Sequence, residues 1–403
     1  MSPWITVIGI GEEGIDGLSA ARLAQIEAAQ VLIGGERHHG KVNNPTAECM
    51  DWGKGFDQAL KEIENRRGQN IVVLASGDPM NFGVGALLVR TFGEDAVTIH
   101  PAPGAFSLAA ARMGWSIPDI ETLTVHGRPL ETLNRYVVPG ARLLALTQDG
   151  DTPGQAARLL NERGYGASRM SVLEHLGGDK EKKIDGAAAT WDHPRCADLN
   201  TLAIECIAGP DAVALSRAPG LPDDAFENDG QLTKREVRAA TLAQLQPLPG
   251  QVLWDIGAGA GSIAIEWLRL GGHRRAIAIE KNPERITIIK RNAANLGTPD
   301  LIVVEGAFDA LKDELKYQPD AVFVGGGASN MDLLNSAWAA LKPGGRMVVN
   351  AVSIEAEQTV LAFRAQHGGE LSRISIERAA PIGSLSAFRP LMTVTQFCVG
   401  KSQ

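Results

Sequence analysis

The sequence is poor in cysteine and has no long apolar run. Its 403 residues include four cysteines, and none stands at the C-x-x-C spacing that zinc sites and redox dithiols use. No apolar run is long enough to span a bilayer, and the N-terminus enters a strand pattern without a basic region or a cleavable apolar segment. These absences exclude a zinc ribbon and predict a metal-free cytoplasmic enzyme or binding protein.

Acidic residues outnumber basic residues in the sequence. Lys and Arg total 39 against 47 Asp and Glu, so the formal net charge is −8. An acidic chain lacks the basic surface of a general binder of nucleic acids or membranes, although it can hold a local basic pocket. Charged residues at 21% and hydrophobic residues at 44% are typical of a folded soluble protein. The length predicts two or three domains.

A stretch rich in Pro, Gly and Asp interrupts the periodic pattern between residues 208 and 230. We therefore expect a linker at 209–229 that joins a domain at 1–208 to a domain at 230–403. In the first half, strands alternate with helices and predict a mainly parallel α/β sheet covered by helices. The predicted strands are Trp4–Ile8, Val31–Gly35, Ile71–Ala75 and one that starts at Arg142.

The second half also alternates strands with helices. Strands are predicted at Val252–Ile256 and Ala276–Glu280, a helix starts at Pro283, and LIVVEG, AVFVGGG and MVVNAV supply three more strands. RISIERA and LMTVTQFCVG follow without a helix between them, so we expect an antiparallel pair that closes a seven-stranded sheet.

The most specific motif is a glycine-rich turn between a strand and a helix, Asp255-Ile256-Gly257-Ala258-Gly259-Ala260-Gly261. Glycines let the backbone approach a ligand, and the amides at a helix N-terminus favour polar or anionic groups. Glu280 ends the next strand, where a carboxylate can accept hydrogen bonds from two ribose hydroxyls. A dinucleotide fingerprint would have glycine where Ser262 stands, so the motif fits S-adenosylmethionine (SAM) better.

The first half has two weaker glycine motifs. Gly9-Ile10-Gly11-Glu12-Glu13-Gly14 follows a strand, and with Glu36 it weakly suggests a dinucleotide site. Ser76-Gly77-Asp78-Pro79 ends a second strand and is either a structural turn or a ligand loop.

The residues alone leave the role of three polar groups open. His126-Gly127-Arg128 is either structural or an anion contact, and His38-His39 is interpreted as a surface pair. The segment from Lys234 to Arg238 predicts a helix with a capping box made by Thr233 and Glu236. Its charges form either a solvated face or a basic rim for a polyanionic substrate.

Both halves resemble known families. The first half resembles the tetrapyrrole methylases through VIGIGEEGIDGLS, IGGERHH, ASGDPMNFGVG, PAPGAFSLAAARMGW, TVHGRPLETL and VLEHLGG. The second half resembles precorrin C15-methyltransferases, SAM-dependent Rossmann-like class I enzymes, through LTKREVRA, LWDIGAGAGSIAIEW, AIEKNPER, EGAFDAL, AVFVGGG and LKPGGRMVVNAV. The order of the halves is similar to that in fused enzymes of cobalamin biosynthesis. The resemblance implies methylation of precorrin-6B at C5 and C15, with loss of the C12 acetate carboxyl, to give precorrin-8X.

The resemblance also implies two SAM sites in a chain that forms a homo-oligomer. The first site would comprise Gly11, Ser76, Gly77, Asp78, Gly104, Ala105 and Thr147. The second would comprise Thr233, Gly257, Ala258, Gly259, Ala260, Gly261, Glu280 and Ala307. The substrate carries many carboxylates, so Arg128, Lys234 and Arg238 are candidate contacts.

The sequence departs from the family pattern at two places in the first site. Glu12 stands where many relatives carry proline, and Gly104-Ala105 stands where close relatives often carry serines. Both departures could alter SAM contacts. Two rival functions also remain: an RNA or protein methyltransferase with an accessory domain, and a SAM-responsive binding protein without catalysis. The acidic balance argues against RNA, and no catalytic acid or base is identified.

Overall fold

The computed structural model describes residues 3–42, 44, 46–53, 55–311 and 315–402. Contacts divide the chain into two compact units. The first unit comprises Met1–Leu130 and Val138–Val213, and the second comprises Glu131–Val137 and Ala214–Gln403. No helix in the described ranges is long and apolar enough to cross a membrane.

The first unit begins with a five-stranded parallel sheet in the order β3-β2-β4-β1-β5. Its strands are β1 (Ile5–Ile10), β2 (Val31–Ile33), β3 (Glu48–Met50), β4 (Ile71–Ser76) and β5 (Val97–His100). Its helices are α1 (Ala20–Glu27), α2 (Glu36–His39), α3 (Phe56–Asn65), α4 (Val84–Phe92) and α5 (Ala105–Met113). The strands predicted at 4–8, 31–35 and 71–75 are confirmed to within two residues at each end.

Alternation along the strands explains why this sheet is covered on both faces. Ile5 and Val7 of β1 pack in one apolar cluster, and Ile8 packs in another. Because successive side chains of a strand point to opposite faces, a strand that is apolar at both sets of positions is buried on both sides.

The first unit continues into a second sheet in the order β6-β7-β10-β8-β9. It contains β6 (Glu121–Thr124), β7 (Arg142–Leu146), β8 (Arg169–Glu174), β9 (Lys182–Ala187) and β10 (Asn200–Glu205), with α6 (Thr152–Glu162) after β7. Only the β6–β7 pair is parallel among its ladders. The expectation of one mainly parallel sheet is therefore wrong for this part. The link between β8 and β9 is too short for a helical crossover, so these strands form an antiparallel hairpin.

The second unit contains a seven-stranded sheet in the order β13-β12-β11-β14-β15-β19-β16 and a separate β17–β18 hairpin. The strands are β11 (Val252–Ile256), β12 (Arg275–Glu280), β13 (Ile302–Glu305), β14 (Ala321–Val324), β15 (Arg346–Ala351), β16 (Glu370–Ile374), β17 (Glu377–Ile382), β18 (Leu385–Pro390) and β19 (Val394–Gly400). The helices are α7 (Arg235–Leu245), α8 (Ser262–Arg269), α9 (Pro283–Asn295), α10 (Phe308–Leu311), α11 (Met331–Ala340) and α12 (Ile354–His367).

The five strands from β11 to β15 are parallel, and β19 runs antiparallel to both β15 and β16. The start of α9 at Pro283 is confirmed. The antiparallel pair is confirmed only in part: β19 pairs with β16, but the RISIERA segment spans the end of β16 and the start of β17, which pairs with β18 instead. The capping box predicted for α7 is wrong. Lys234 is the N-cap and forms no capping side-chain bond, and the carboxylate of Glu236 accepts hydrogen bonds from Arg378 instead.

Candidate functional sites

Three glycine turns of the first unit converge at the carboxyl ends of β1, β4 and β5. A Cβ added to Gly9 would lie 2.0 Å from the carbonyl oxygen of Gly77, and one added to Gly77 would lie 2.9 Å from Cα of Gly104. Gly77 has φ +54°. Its amide donates to Ile10 O at 3.0 Å, and its carbonyl accepts from Ala102 N at 3.1 Å. Side chains at Gly9 and Gly77 would therefore clash with neighbouring backbone, because three stretches of backbone approach one another closely at the predicted site.

The remaining residues of the first predicted site flank these turns. Asp78 Oδ1 accepts from the amide of Met80 at 2.9 Å, which fixes the turn after Gly77. Ala105 is the first residue of α5. Thr147 follows β7 and is buried, and its hydroxyl donates to Asn200 O at 3.0 Å. Because its proton is already donated, the Thr147 hydroxyl could contact a ligand only as an acceptor.

Ser76, the last residue of β4, lies in a polar cluster with residues of α2. Its Oγ is 2.7 Å from Nη2 of Arg37 and 3.0 Å from Nε2 of His38. Burial, together with the nearby positive charges, lowers the pKa of His38 to about 4, so the ring is neutral at neutral pH. The neighbouring His39 is also half-buried, with Nε2 3.0 Å from Met50 O. The interpretation of the two histidines as a surface pair is therefore wrong.

Glu12, the first departure from the family pattern, anchors the loop after β1. Its carboxylate lies 2.6 Å from Lys41 Nζ, 3.2 Å from Arg37 Nη1 and 3.3 Å from His175 Nδ1. Burial alone would raise the pKa of Glu12, but hydrogen bonds from Lys41 and His175 and the charge of Arg37 lower it. Lys41 also donates to Gly11 O at 2.9 Å. Glu12 therefore ties the loop that carries Gly11 to α2 and to the loop after β8.

Arg128 is exposed beside an aromatic pair. Its guanidinium lies 5.7 Å from the ring centroid of Phe82, and the Phe82 ring meets Phe106 edge to face at 6.0 Å. Phe82 is 46% exposed and has φ +56°, a strained conformation for a bulky residue. Arg128 has the exposure that a substrate contact needs, so it stays a candidate.

The second unit places the Gly257–Gly261 turn between β11 and α8. Gly257 has φ +70°, and a Cβ there would lie 2.7 Å from Cα of Gly326. Gly261 has φ +77°, and its Cβ would lie 2.9 Å from Cγ2 of Ile289. The amides of Gly257 and Ala258 both donate to Ile279 O, which fastens the turn to the end of β12. Ala260, inside the turn, is buried.

Glu280 is buried at the end of β12 and faces this turn. Its Oε2 accepts from the amide of Gly259 at 2.9 Å, and its Oε1 accepts from the amides of Lys281 and Asn282 at 3.0 Å. A carboxylate has about four lone-pair positions, so capacity remains for a ligand hydroxyl. The amide of Gly306 donates to Glu280 O at 2.9 Å, which brings the following residue, the exposed Ala307, to the same strand end.

Asp255 lies beneath the turn and is fully enclosed. Its Oδ2 accepts from the amide of Ala264 at 3.0 Å, while Oδ1 has no partner among the described residues. Burial, reinforced by the charge of Glu280 and opposed by the Ala264 amide, raises the pKa of Asp255 to about 7. A glycine cradle beside the carboxylate of Glu280 suits a ligand that carries hydroxyls, while Asp255 holds the start of α8 from beneath. The residues present therefore fit SAM.

The structure corrects the expectation that Arg238 contacts substrate. Arg238 is completely buried, and its Nε donates to Glu266 at 2.7 Å. Its other nitrogens donate to Asp223 at 2.9 Å, to Thr233 O at 2.5 Å and to Leu221 O. Each of the three guanidinium nitrogens donates to a partner inside the protein and the side chain is inaccessible, so Arg238 is a structural residue.

Thr233 and Lys234 lie just before α7. Both are half-buried, and Lys234 forms no ion pair in the described ranges. Lys234 is therefore still available as a substrate contact, whereas the carbonyl of Thr233 is already an acceptor for the buried guanidinium.

The sequence pattern did not identify Arg37, His38, Lys41 and His175 as one cluster. The segment IGGERHH contains a signal for Arg37 and His38, because basic residues follow the second strand of a parallel sheet after a short glycine turn. The partners that hold them, Glu12 and Ser76, come from other strand ends, and that juxtaposition depends on the strand order.

Comparison with known proteins assigns a family to each half. Residues 5–191 match the model of tetrapyrrole (corrin/porphyrin) methylases, and residues 224–401 match the precorrin methyltransferase domain. With the two glycine-lined strand-end sites, these matches define a class: SAM-dependent methyltransferases of tetrapyrroles.

One relative spans nearly the whole chain. The precorrin-6Y C(5,15)-methyltransferase (decarboxylating) of Sinorhizobium sp is 46% identical over 398 residues, which cover 98% of this chain and 96% of the relative. The chain belongs to the family of precorrin-6Y C(5,15)-methyltransferases (decarboxylating).

Two shorter relatives each match part of the chain. A probable cobalt-precorrin-6B C(15)-methyltransferase (decarboxylating) of Saccharolobus solfataricus is 32% identical over 37% of this chain and 78% of its own length. A cobalt-precorrin-7 C(5)-methyltransferase of Salmonella typhimurium is 34% identical over 44% of this chain and 88% of its own length. The C5 and C15 activities named for the long relative thus also occur in separate proteins.

Proposed function

We propose that the chain methylates precorrin-6B at C5 and C15 and removes the carboxyl group of the C12 acetate to give precorrin-8X. Residues 1–208 would form the C5 domain, and residues 230–403 would form the C15 and decarboxylation domain. The observation that carries the proposal is the presence of two differently built glycine cradles, one in each unit. The domain matches and the shorter C5 and C15 relatives support this division.

Each cradle would hold one SAM. In the first unit, neighbouring backbone excludes side chains at Gly9 and Gly77, so the strand ends that carry Gly11, Gly77 and Gly104 would present backbone to a ligand. In the second unit, Glu280 would accept a hydrogen bond from a ribose hydroxyl, and the turn from Gly257 to Gly261 would let the ligand approach the backbone closely, although the amides of Gly257, Ala258, Gly259 and Gly261 already donate within the protein. The strand order and the antiparallel β19 also support a Rossmann-like class I fold for this unit.

Bound SAM supplies an electrophilic methyl group, so the chain's main task is to orient donor and acceptor. Holding reacting atoms in a near-attack arrangement can contribute roughly 7–11 kcal/mol in well-oriented systems. In the second unit, the buried strand ends at Ile256 and Glu280 exclude water on the protein side, and fixed backbone dipoles act strongly there. Arg128 and Lys234 would bind substrate carboxylates.

Decarboxylation needs an electron sink, and the substrate itself can provide one. The acetate stands next to a conjugated ring whose imine-like nitrogen can accept the electron pair when it is protonated or hydrogen-bonded. A poorly solvated carboxylate would favour loss of carbon dioxide. We therefore propose that positioning residues, more than a dedicated acid or base, carry this step.

The test uses the intact chain, precorrin-6B and SAM labelled with ¹³C in its methyl group. NMR of the product should show two labelled methyl groups, at C5 and C15, with one carbon dioxide released. Asp78→Ala should abolish labelling at C5 and leave C15 unchanged, and Glu280→Ala should do the reverse. If either variant removes both labels, or if calorimetry finds one SAM equivalent per chain, the two-site proposal is wrong.

We also propose that the chain forms a homo-oligomer through the β17–β18 hairpin. Leu385 is 73% exposed, Phe388 is 72% exposed and Ile382 is 54% exposed. Ile382 and Leu385 are a cross-strand pair and share one face of the ribbon, whereas Phe388 lies on the other face. Exposed apolar side chains on a two-stranded ribbon are typical of an interface. Sedimentation of the double variant Leu385→Ser, Phe388→Ser should show smaller particles than the wild type. Equal sedimentation coefficients would refute the use of this surface.

A further inference from the structure

The hydroxyl of Ser76 has a direction that its neighbours determine. Nδ1 of His38 accepts a hydrogen bond from the amide of Gly35 at 3.2 Å, so this nitrogen carries no proton. The neutral ring then carries its proton on Nε2, which donates to Ser76 Oγ at 3.0 Å. Arg37 has only donors, and its Nη2 donates to the same oxygen at 2.7 Å.

Both lone pairs of the Ser76 oxygen are therefore occupied. A serine hydroxyl has two lone pairs and one proton, so the proton is left as its only free hydrogen-bonding group. Ser76 is exposed, and no acceptor for this proton is found in the described ranges. At this strand end, next to Gly77, the hydroxyl can act only as a donor.

The charges around Ser76 favour an anionic acceptor. Arg37 and Lys41 contribute two positive charges, and Glu12, which pairs with both, contributes one negative charge. His38 is held neutral. The charge in direct contact with the Ser76 oxygen is the guanidinium of Arg37 at 2.7 Å, whereas the carboxylate of Asp78 accepts from the amide of Met80. Such hydrogen bonds to charged groups are roughly twice as strong as neutral ones.

We propose that Ser76 is a dedicated hydrogen-bond donor to a carboxylate of the bound ligand, and that His38 is the positioning residue that orients it. The inference rests on the proposed function, because SAM and the tetrapyrrole both carry carboxylates. It adds a specific acceptor, a direction for the bond and a role for His38.

The experiment is calorimetry on the intact chain with two probes, S-adenosylhomocysteine and precorrin-6B, in the absence of a methyl donor. Ser76→Ala should weaken one of the two S-adenosylhomocysteine binding events, or precorrin binding, by roughly tenfold, as loss of a bond to a charged group implies. His38→Leu should weaken the same event. The matched control is His39→Leu, which alters the adjacent half-buried histidine and should leave it unchanged.

A double variant separates orientation from structural damage. If His38 acts through Ser76, then Ser76→Ala combined with His38→Leu should lose no more affinity than Ser76→Ala alone. Additive losses would show that His38 acts independently and would overturn its positioning role.

The two probes identify the source of the carboxylate. Weaker S-adenosylhomocysteine binding assigns the carboxylate to the cofactor. In that case, an S-adenosylhomocysteine analogue that lacks the carboxylate should bind to the wild type and to Ser76→Ala with the same affinity. Weaker precorrin binding assigns it to the substrate. If the wild type binds both probes and Ser76→Ala changes neither, the inference is wrong while the proposed function stands. If the wild type binds neither, the proposed function fails first.

Discussion

Replacement of Arg238 by methionine should strongly destabilise the second unit. Arg238 and Glu266 are 0% and 2% exposed, and their side chains meet at 2.7 Å. Met fills a similar volume but removes the positive charge. Glu266 would keep the amides of Gly220 and Leu221 as donors, but its charge would be buried without compensation.

The expected cost follows from that uncompensated charge. Removal of one partner of a buried ion pair costs about 3–5 kcal/mol. The cation–π contact to Phe226 at 4.7 Å and the bond to Asp223 are lost at the same time. Because whole domains have free energies of unfolding of only about 5–15 kcal/mol, the loss should be visible as a large fraction of the stability.

The assay is urea unfolding of the intact chain followed by hydrogen exchange on individual peptides, which reports each unit separately. Arg291→Met is the control, because Arg291 pairs with Glu227 at the exposed surface and such pairs contribute little. The double variant Arg238→Met, Glu266→Gln should recover part of the loss. If Arg238→Met costs no more than the control, or if substrate affinity falls while stability is unchanged, the structural role assigned to Arg238 is refuted.

Two further predictions concern the glycine turn and the acid beneath it. Gly257→Ala should abolish C15 methylation and spare C5 methylation, because the new Cβ would lie 2.7 Å from Cα of Gly326. Gly271→Ala is the control: Gly271 also has a positive φ, +76°, but no atom lies within 4 Å of the added Cβ, so both methylations should stay near the wild-type level. Asp255 has its pKa raised from 3.8 to about 7, so its contribution to stability is present below pH 3.8 and is lost as the pH rises through 7. Asp255→Asn should therefore gain stability relative to wild type between pH 5 and pH 8 in urea unfolding, and an equal difference at both pH values would contradict the raised pKa.

The local sequence pattern was sufficient to predict several elements of the second unit. The strand at Val252–Ile256, the start of α9 at Pro283 and the Gly257–Gly261 turn all follow from contiguous residues whose chemistry is local. An apolar run, a proline at the first helical position and glycines at positive φ each act within a few residues. Such features can be predicted before any tertiary contact is known.

The residues that the sequence placed wrongly depend on distant partners. Arg238 belongs to a charged helical segment, and only the fold brings Glu266 and Asp223 against it. Likewise, the tautomer of His38 depends on Gly35 and on Ser76 of another strand. Its low pKa comes from burial and from the charges of Arg37 and Lys41, and the burial exists only in the folded chain. The strand direction in the second sheet of the first unit was missed because a hairpin and a crossover give similar apolar runs.

The position of β19 in the sheet has a consequence for biosynthesis. This strand follows β16, β17 and β18 in the chain, yet it is inserted between β15 and β16 and pairs with both. A ribosome must therefore release residues 394–400 before the ladder beside β15 can close. We expect nascent chains stalled ahead of this segment to leave β15 open at its edge, vulnerable to proteases and to pairing with other chains.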